Sequence, residues 1–338
     1  MSTGDAHPLA HGEVVPEFGH SVILDLCGDY LLESLLTPGL ALVSLVRNWK
    51  TGTVESKQQN GYYQGAEAQD DMMSRHVWFL DDEHIIIEAR SAHKRRSDTK
   101  CLLVVPFRRR SKSDAPVYVF SLPGFLSGPE SWWDCVIPGR ASGHLHPGHF
   151  HADPDNRLIS MYTAVRHRDG LQRLFVVDIP VQTFLSYVRA HPAAASQQVV
   201  VPWDAWGTRG ARVTLVPASP RQPGMPVSGM RRIDVPVRPP YAVTVVDYHP
   251  RRVARAIARG DPAVVHGAFV DTEVAGLGEG RLHTLLPCLV TEVPLPEGLA
   301  QRVEEGRPVS VWFDENGVLF VETRGADGTV KSVWAYTI

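Results

Sequence analysis

Residues 76–90, HVWFLDDEHIIIEAR, have a second version near the C-terminus at residues 310–324, SVWFDENGVLFVETR. Once one gap is allowed, both read Val-Trp-Phe, an acidic turn, four mostly β-favouring apolar residues, and then Glu, a small residue and Arg. Each continues through a polar turn into a further apolar run, led by Lys100 or Lys331. Strand, acidic turn, strand, polar turn and strand is the outline of one blade in a radial β-sheet array, so the pair predicts a repeated β-architecture.

Short apolar or alternating runs fill most of the remaining chain, and Gly, Pro, Asp or Asn bound most of them. This punctuation is typical of strands joined by tight turns. Only residues 181–190 and 250–259 favour a helix. We predict strands at residues 21–26, 30–35, 40–49, 76–80, 84–89, 101–107, 117–122, 157–165, 171–179, 198–203, 211–216, 242–248, 263–270, 281–290, 309–313, 318–323 and 332–338.

So many antiparallel strands would expose unpaired backbone edges unless they close into a ring or barrel. At roughly 40–50 residues per blade, a chain of this length allows about six or seven blades. We therefore predict an all-β fold, a divergent WD40-like β-propeller of irregular blades with few short helices. Residues 1–19 are expected to form a polar leader, and residues 20–338 a single propeller-like domain.

Composition and charge narrow the classes of function. The apolar fraction of 43% and the charged fraction of 21% are sufficient for a packed core. The net charge of −3 gives no general attraction to nucleic acid or to anionic lipid, and we expect neither as a partner. The sequence shows no signal peptide and no apolar run long enough to cross a bilayer. We expect a soluble intracellular protein, cytoplasmic or nuclear, whose four widely spaced cysteines are reduced thiols: Cys27, Cys101, Cys135 and Cys288.

Several segments, in their order along the chain, resemble the C-terminal propeller-like β domain of F-box proteins from mushroom-forming fungi. The most specific piece is the tryptophan pair Trp203 and Trp206, before Gly207 and Arg209. The segments are NWKTGT (residues 48–53), HVWFLDDEHI (76–85), HADPDNRLISM (151–161), VPWDAWGTRGARV (201–213) and VTVVDYHPRRVARAI (243–257).

The resemblance implies a domain that binds substrates or partners in an SCF-type ubiquitin ligase. In that family the F-box holds the adaptor, and the β domain presents the protein to be modified. No F-box is visible in this chain, so we expect the SCF adaptor as a partner only if an F-box segment exists outside it.

The histidine-rich stretch SGHLHPGHFHADPD, residues 142–155, raises an alternative. A two-residue hairpin turn at Pro147-Gly148 would place four imidazoles on one face, where they could hold a metal ion. Proline is unfavourable in such a turn, and no metal motif with a catalytic partner surrounds the cluster. We therefore predict a loop, with no metal and no cofactor. The alternative is a metal-binding propeller with hydrolase-like activity at His144, His146, His149 and His151.

Other candidate residues favour architecture over chemistry. The Trp132-Trp133 pair, in a segment that lacks a strand pattern, could be a core plug or a partner anchor. We expect Trp203 and Trp206 to pack between blades, with Asp204 and Arg209 paired with one another or with backbone. Gly276, Gly278 and Gly280 indicate a flexible loop. The acids Asp81, Asp82, Glu83, Asp314 and Glu315 recur at equivalent turns and are therefore read as architectural. The basic residues in 94–96 and 108–112 are read as solvated loop tips.

Taken together, the residues predict a non-catalytic protein-interaction module, with the substrate-recognition domain of an F-box ligase system as its most specific form. The metal-dependent hydrolase is the alternative from a different class. A third reading is a strand-rich remnant of a larger gene product without an independent role. The sequence names no partner, because the binding faces of propellers are built from loops without a transferable code.

Overall fold

The structure is a computed structural model. It describes residues 21–36, 42–59, 72–91, 100–108, 116–123, 131–136, 156–166, 172–194, 197–216, 227–234, 242–271, 281–295, 297–305, 309–313, 317–324 and 329–337. Strands dominate these residues and the helices are few and short, which confirms the mostly-β prediction. Within this part of the chain, no helix is long and apolar enough to cross a membrane.

The elements in chain order are β1 (Ser21–Cys27), β2 (Tyr30–Leu36), β3 (Leu42–Asn48), β4 (Val54–Gln59), β5 (Met72–Phe79), β6 (His84–Ser91), β7 (Lys100–Pro106), β8 (Val117–Ser121), β9 (Ser131–Val136), β10 (Leu158–Arg166), β11 (Gln172–Pro180), α1 (Val181–Ala190), β12 (Gln198–Val201), α2 (Trp203–Gly210), β13 (Arg212–Val216), β14 (Val227–Ser228), β15 (Arg231–Asp234), β16 (Ala242–Asp247), α3 (Pro250–Arg259), β17 (Val264–Val265), β18 (Ala268–Asp271), β19 (Arg281–Thr284), β20 (Cys288–Pro294), α4 (Glu297–Glu304), β21 (Val309–Phe313), β22 (Gly317–Arg324) and β23 (Thr329–Thr337).

The chain divides into two compact units. The first comprises Met1–Pro129 together with Phe184–Ala205, and the second comprises Glu130–Thr183 together with Trp206–Ile338. The prediction of one domain over residues 20–338 stays a prediction.

The first unit holds two sheets built as up-and-down meanders. Strands β1 to β4 form one sheet in sequential order. Strands β5 to β8 form the other, and β12 joins it as a parallel strand beside β8. Apolar side chains of both sheets meet in one buried core, in which the ring of Phe107 packs edge-on against Tyr30 at 5.0 Å and Phe79 at 5.4 Å.

The second unit holds four sheets. Strands β9, β10, β11 and β13 form an antiparallel sheet in the order β13-β11-β10-β9. A five-stranded sheet has the order β14-β15-β16-β20-β17, β18 pairs with β19, and β21 to β23 form a three-stranded meander. Helix α3 leaves the five-stranded sheet after β16, and a backbone hydrogen bond from Leu158 to Gly229 joins β10 to the turn between β14 and β15.

The two echoing stretches both form hairpins, with registers that differ by one residue. Phe79 pairs with Ile85 and Val77 with Ile87, so the second and fourth residues of the run that begins at His84 oppose Phe and Val. In the second hairpin Phe313 pairs with Val318 and Val311 with Phe320, which are the first and third residues of the run. The shared plan of strand, turn and strand is therefore a feature of local structure, although the turn of the first hairpin is one residue longer.

The acidic turn of the first hairpin has an architectural role. One side-chain oxygen of Asp81 accepts hydrogen bonds from the backbone N–H groups of Glu83, at 2.9 Å, and His84, at 2.6 Å. Burial alone would raise the pKa of Asp81, but the hydrogen bonds and the imidazole of His84 hold it below its usual value. An aspartate that accepts hydrogen bonds from the backbone of its own turn stabilises that turn, which is an architectural role. The corresponding acids Asp314 and Glu315 lie outside the described residues.

Three of the predicted strands end or break at other residues, and one segment read as lacking a strand is a strand. The strand predicted at residues 198–203 ends at Val201, because Pro202 cannot donate to the ladder and α2 begins at Trp203. The run predicted at 263–270 is split at His266-Gly267, and the run at 281–290 is split before Pro287. The Trp132-Trp133 segment is a strand, β9, paired with β10. The sequence analysis also missed β4, β14, β15, α2 and α4.

Candidate functional site

A fully buried carboxylate lies at the centre of the second unit. Asp178 stands on β11 directly opposite Ser160 on β10, and neither side chain is exposed. The Ser160 hydroxyl donates to one oxygen of Asp178. The other oxygen accepts hydrogen bonds from the Arg232 guanidinium on β15 and, at 2.5 Å, from the hydroxyl of Tyr248, which follows β16. One carboxylate on β11 thus connects β10, β15 and the residue that follows β16.

Arg232 is the cation of this cluster, and it also holds a second carboxylate. Its Nε and Nη2 atoms donate to the two oxygens of Asp234, each at 2.9 Å, while Nη1 donates to Asp178. The fork of a guanidinium matches a carboxylate in this two-point geometry, and such bonds are stronger than neutral ones. Only 2% of the Arg232 side chain is exposed.

Burial and charge shift the pKa values of the cluster in identifiable directions. Loss of water raises the pKa of the Asp178 carboxyl, and this effect exceeds the opposing influence of Arg232, Ser160 and Tyr248. Loss of water alone would lower the pKa of Arg232, but the carboxylates of Asp178 and Asp234 raise it, so the guanidinium remains charged. Burial also raises the pKa of Tyr248, whose hydroxyl therefore stays protonated and acts as a donor.

Tyr162 lies beside the same charges with an unused hydroxyl. Its Oη atom is buried and has no hydrogen-bond partner within the part of the chain that the structure describes. Burial raises its pKa, as do the nearby carboxylates of Asp178 and Asp234, with Arg232 opposing them. A buried polar atom without a partner reduces stability, so the Tyr162 hydroxyl lowers the stability of the cluster.

The cluster is better suited to hold strands together than to perform chemistry. A catalytic acid or base must reach the proton that it transfers, whereas Asp178 and Arg232 are sealed from solvent. The nearby thiol of Cys288 is equally inert, because burial raises its pKa to about 11 and keeps it protonated. We interpret the group as an internal brace of the second unit, although its perturbed pKa values would otherwise mark it as a candidate site.

The sequence analysis did not single out this cluster. Arg232 stands in the polar stretch GMRRID, which resembles a solvated loop, and Asp178 is one acid in an apolar run. The available signal was that acid itself: a carboxylate inside a run such as LFVVDIP is buried if the run is a strand, and a buried carboxylate needs a cation.

The predicted tryptophans lie on two different kinds of element. Trp203 and Trp206 are both buried on α2, one helical turn apart, while Asp204 and Arg209 are exposed on the same helix. Their spacing of three residues was the missed sign of a helix. Whether they pack between blades stays a prediction. Trp132 and Trp133 lie within β9 at positions opposite Ala164 and Thr163.

The histidine cluster His144, His146, His149 and His151 lies outside the described residues, as do Gly276, Gly278 and Gly280. Among the residues that are described, no three His, Cys, Asp or Glu side chains form a group that could hold a metal ion. Of the predicted basic loop tips, Arg108 is described. It is exposed, pairs with Asp82 at 3.2 Å and stacks on the ring of Tyr30 at 4.7 Å.

An exposed aromatic patch lies on the hairpin of β18 and β19. Phe269 is 72% exposed and stacks on its cross-strand neighbour His283, with ring centroids 4.1 Å apart and planes 7° from parallel. Leu285, directly after β19, is 40% exposed. We call Phe269, His283 and Leu285 the Phe269 patch.

The Phe269 patch rests on a fixed support. Val270 and Thr284, on the other face of the hairpin, are buried. The Thr284 hydroxyl accepts a hydrogen bond from the backbone N–H of Val213 at 3.4 Å, and the N–H of Leu285 donates to the carbonyl of Thr208 at 2.7 Å. A large apolar ring held by such support is suited to bind a partner, because little conformational entropy is lost when it is covered.

Comparison with known proteins found no match at any of three levels. No family model matches the sequence, and neither a curated protein nor a solved structure shows significant similarity to it.

Proposed function

We propose that this protein is a non-catalytic protein-interaction module. The observation that carries the proposal is the Phe269 patch, an aromatic pair and a leucine presented to solvent on a hairpin whose other face is buried. Aromatic side chains concentrate binding energy at protein interfaces, so an exposed phenylalanine stacked on a histidine beside an exposed leucine is suited to bind a partner. The buried cluster around Asp178 serves the same function indirectly, because it stiffens the unit that carries the patch.

The architecture proposed for the module is a divergent WD40-like propeller of about six or seven blades, in which each meander sheet is one blade. The two meanders of the first unit and the hairpin formed by each of the two echoing stretches support it. An experimentally determined structure tests this directly. Sheets arranged around one axis would support the ring, and an open stack of sheets would exclude it.

The more specific proposal is substrate recognition in an F-box ligase system, with a protein as cargo. It rests on the sequence resemblance carried by the segments around Trp203, Trp206 and Arg209. The SCF adaptor enters only through an F-box segment outside this chain.

Quantitative affinity capture tests both the interaction proposal and the more specific ligase proposal. The full chain is expressed in parallel with Phe269→Ala and with Val333→Ala, a matched control that truncates another strand side chain more than half exposed. The interaction proposal expects a discrete set of proteins that are lost with Phe269→Ala and retained with Val333→Ala. If no captured protein depends on Phe269, the proposal is wrong. Recovery of a separate F-box protein or of the SCF adaptor would support the ligase assignment, and partners that include neither would favour a plain interaction module.

A further inference from the structure

Helix α3 carries an unusual concentration of positive charge. It begins with Pro250 at its first turn and ends at Gly260, whose left-handed backbone (φ 65°) closes the helix through hydrogen bonds to the carbonyls of Ala256 and Ile257. Val253 and Ala256 face the interior. The remaining helical positions are exposed, and four of them are arginines: Arg251, Arg252, Arg255 and Arg259.

Three of these arginines form one line along the helix. Residues four apart lie above one another on a helix surface, so Arg251, Arg255 and Arg259 follow one another at intervals of about 6 Å. Arg252 stands beside this line and is already paired, with its Nη1 atom 3.3 Å from Asp247. We call Arg251, Arg255 and Arg259 the arginine stripe. Within the described part of the chain, none of its members has an ion-pair partner.

The arrangement works against the stability of the helix itself. Like charges four residues apart repel, and a cation in the first turn opposes the helix dipole. The first turn of α3 contains no acid, and Arg251 stands there uncompensated among the described residues. Arg259 in the last turn complements the helix dipole, but Arg251 and Arg255 gain nothing from it, so helix stability alone does not explain the stripe.

The geometry points to an acidic peptide segment as the occupant. In an extended chain, alternate side chains on one face are about 6.6 Å apart, which matches the spacing of the stripe. Beside the stripe lie the small side chains of Ala254 and Ala258 and then Ile257, which is 41% exposed. This apolar strip suits a peptide with aliphatic residues between its acids. It offers no aromatic ring on which a nucleic-acid base could stack.

We infer that the arginine stripe of α3 binds a partner segment in which acidic residues alternate with aliphatic ones. The inference deepens the proposed interaction function by giving the chemistry of one partner, and it uses a surface different from the Phe269 patch. The two proposals can therefore fail separately. The segment would bind by charge complementarity, with the alanines allowing its backbone to lie close to the helix.

Fluorescence anisotropy with the full chain tests the inference. The probe is a fluorescein-labelled peptide of alternating Glu and Val. The triple variant Arg251→Gln/Arg255→Gln/Arg259→Gln removes the stripe. A matched control, Lys50→Gln/Arg108→Gln/Arg209→Gln, removes three exposed cations elsewhere and changes the net charge equally. Because all six positions are exposed, circular dichroism and thermal melting should show both variants folded.

We expect the wild type to bind the peptide, with binding that weakens as salt is raised. The stripe variant should lose about tenfold in affinity, and the control should lose little, because only the stripe variant removes the three arginines that would form exposed ion pairs with the peptide. If the Phe269→Ala variant binds the peptide with wild-type affinity, the arginine stripe and the Phe269 patch are separate surfaces. Absence of wild-type binding, or equal loss in both triple variants, would overturn the inference. Tighter, stripe-dependent binding of a single-stranded RNA probe would also overturn it.

Discussion

The hydroxyl groups of two buried tyrosines show how one hydrogen bond determines whether a buried polar atom stabilises the fold. Tyr248 donates to Asp178 at 2.5 Å, whereas the Tyr162 hydroxyl has no partner among the described residues. Both rings lie near Arg232 and Asp178. The pair therefore provides its own control, since the same substitution removes a used hydroxyl at one site and an unused one at the other.

We expect Tyr248→Phe to lower the free energy of unfolding by about 1.5–3 kcal/mol, because it removes a hydrogen bond to a charged group. Tyr162→Phe should be neutral or stabilising, because it removes a buried polar atom that gains nothing from the fold. Urea unfolding of both variants against the wild type measures the difference. Equal destabilisation by the two substitutions would contradict the hydrogen-bond assignment.

The charge on Arg232 should make stability depend on pH in a defined direction. Burial raises the pKa of Asp178 above its ordinary value, so the stabilising contribution of this group is present below the pKa of the unfolded chain and is lost as pH rises through the folded pKa. Replacing Arg232 by leucine removes the cation that opposes this rise. Arg232→Leu should therefore lose about 3–5 kcal/mol near neutral pH, and less at about pH 5, because a buried carboxyl without its cation is protonated more readily as pH falls.

Urea unfolding of Arg232→Leu at the two pH values measures this deficit. The double variant Asp178→Asn/Arg232→Leu is the control, because only the less buried carboxyl of Asp234 has then lost its cation, and its deficit should depend on pH less than that of Arg232→Leu. A deficit of Arg232→Leu that grows as pH falls would show that the charge on Asp178 is not the cause.

Secondary-structure elements differ in how far local sequence determines them. The bounds of α1 and α3 agree with the residues that favour helices in the sequence, because both have apolar residues at helical spacing and α3 has Pro at its start and Gly after its end. Helix α2 was missed because its sequence, WDAWGTRG, is short and contains two glycines. The hairpin of β14 and β15 was missed because the burial of its arginines depends on acids remote in sequence.

The C-terminal end of α3 offers a test of an element boundary. Gly260 adopts a left-handed conformation, and a Cβ at this position would have no atom within 4 Å. Gly260→Ala should therefore cost about 1–2 kcal/mol through backbone strain alone. Gly260→Asn should cost less, because asparagine tolerates this conformation. Thermal melting of the two variants distinguishes them, and an alanine variant as stable as the asparagine variant would argue against the cap.

At the scale of the whole molecule, the chain returns to complete the first unit. Residues Phe184–Ala205 belong to the unit that Met1–Pro129 begins. They supply β12 as the neighbour of β8, and the rings of Phe184 and Tyr187 pack edge-on against Phe120 at 4.9 and 5.4 Å. The sequence predicted most of these strands, but it could not show that one unit is made of two separated pieces, because the joining contacts are remote in the chain.

A fragment ending at Pro129 should therefore fail to fold cooperatively, because it lacks β12 and leaves the edge of β8 unpaired. We expect it to self-associate on size-exclusion chromatography. Joining residues 184–205 to it through a flexible linker should restore a monomer with a cooperative melt, and the same linked fragment with Phe184→Ala should be less stable. A cooperative, monomeric fragment without the added residues would contradict the proposed role of β12.

This two-piece construction affects how the protein is made in the cell. The ribosome adds about 5–20 residues per second, so the 76 residues from Pro129 to Ala205 take about 4 to 15 seconds to synthesise. Throughout that interval the nascent first unit presents an open strand edge and the uncovered ring of Phe120. We therefore expect chaperones that shield such surfaces to raise the yield of native protein, and codons that slow translation between these positions to lower it.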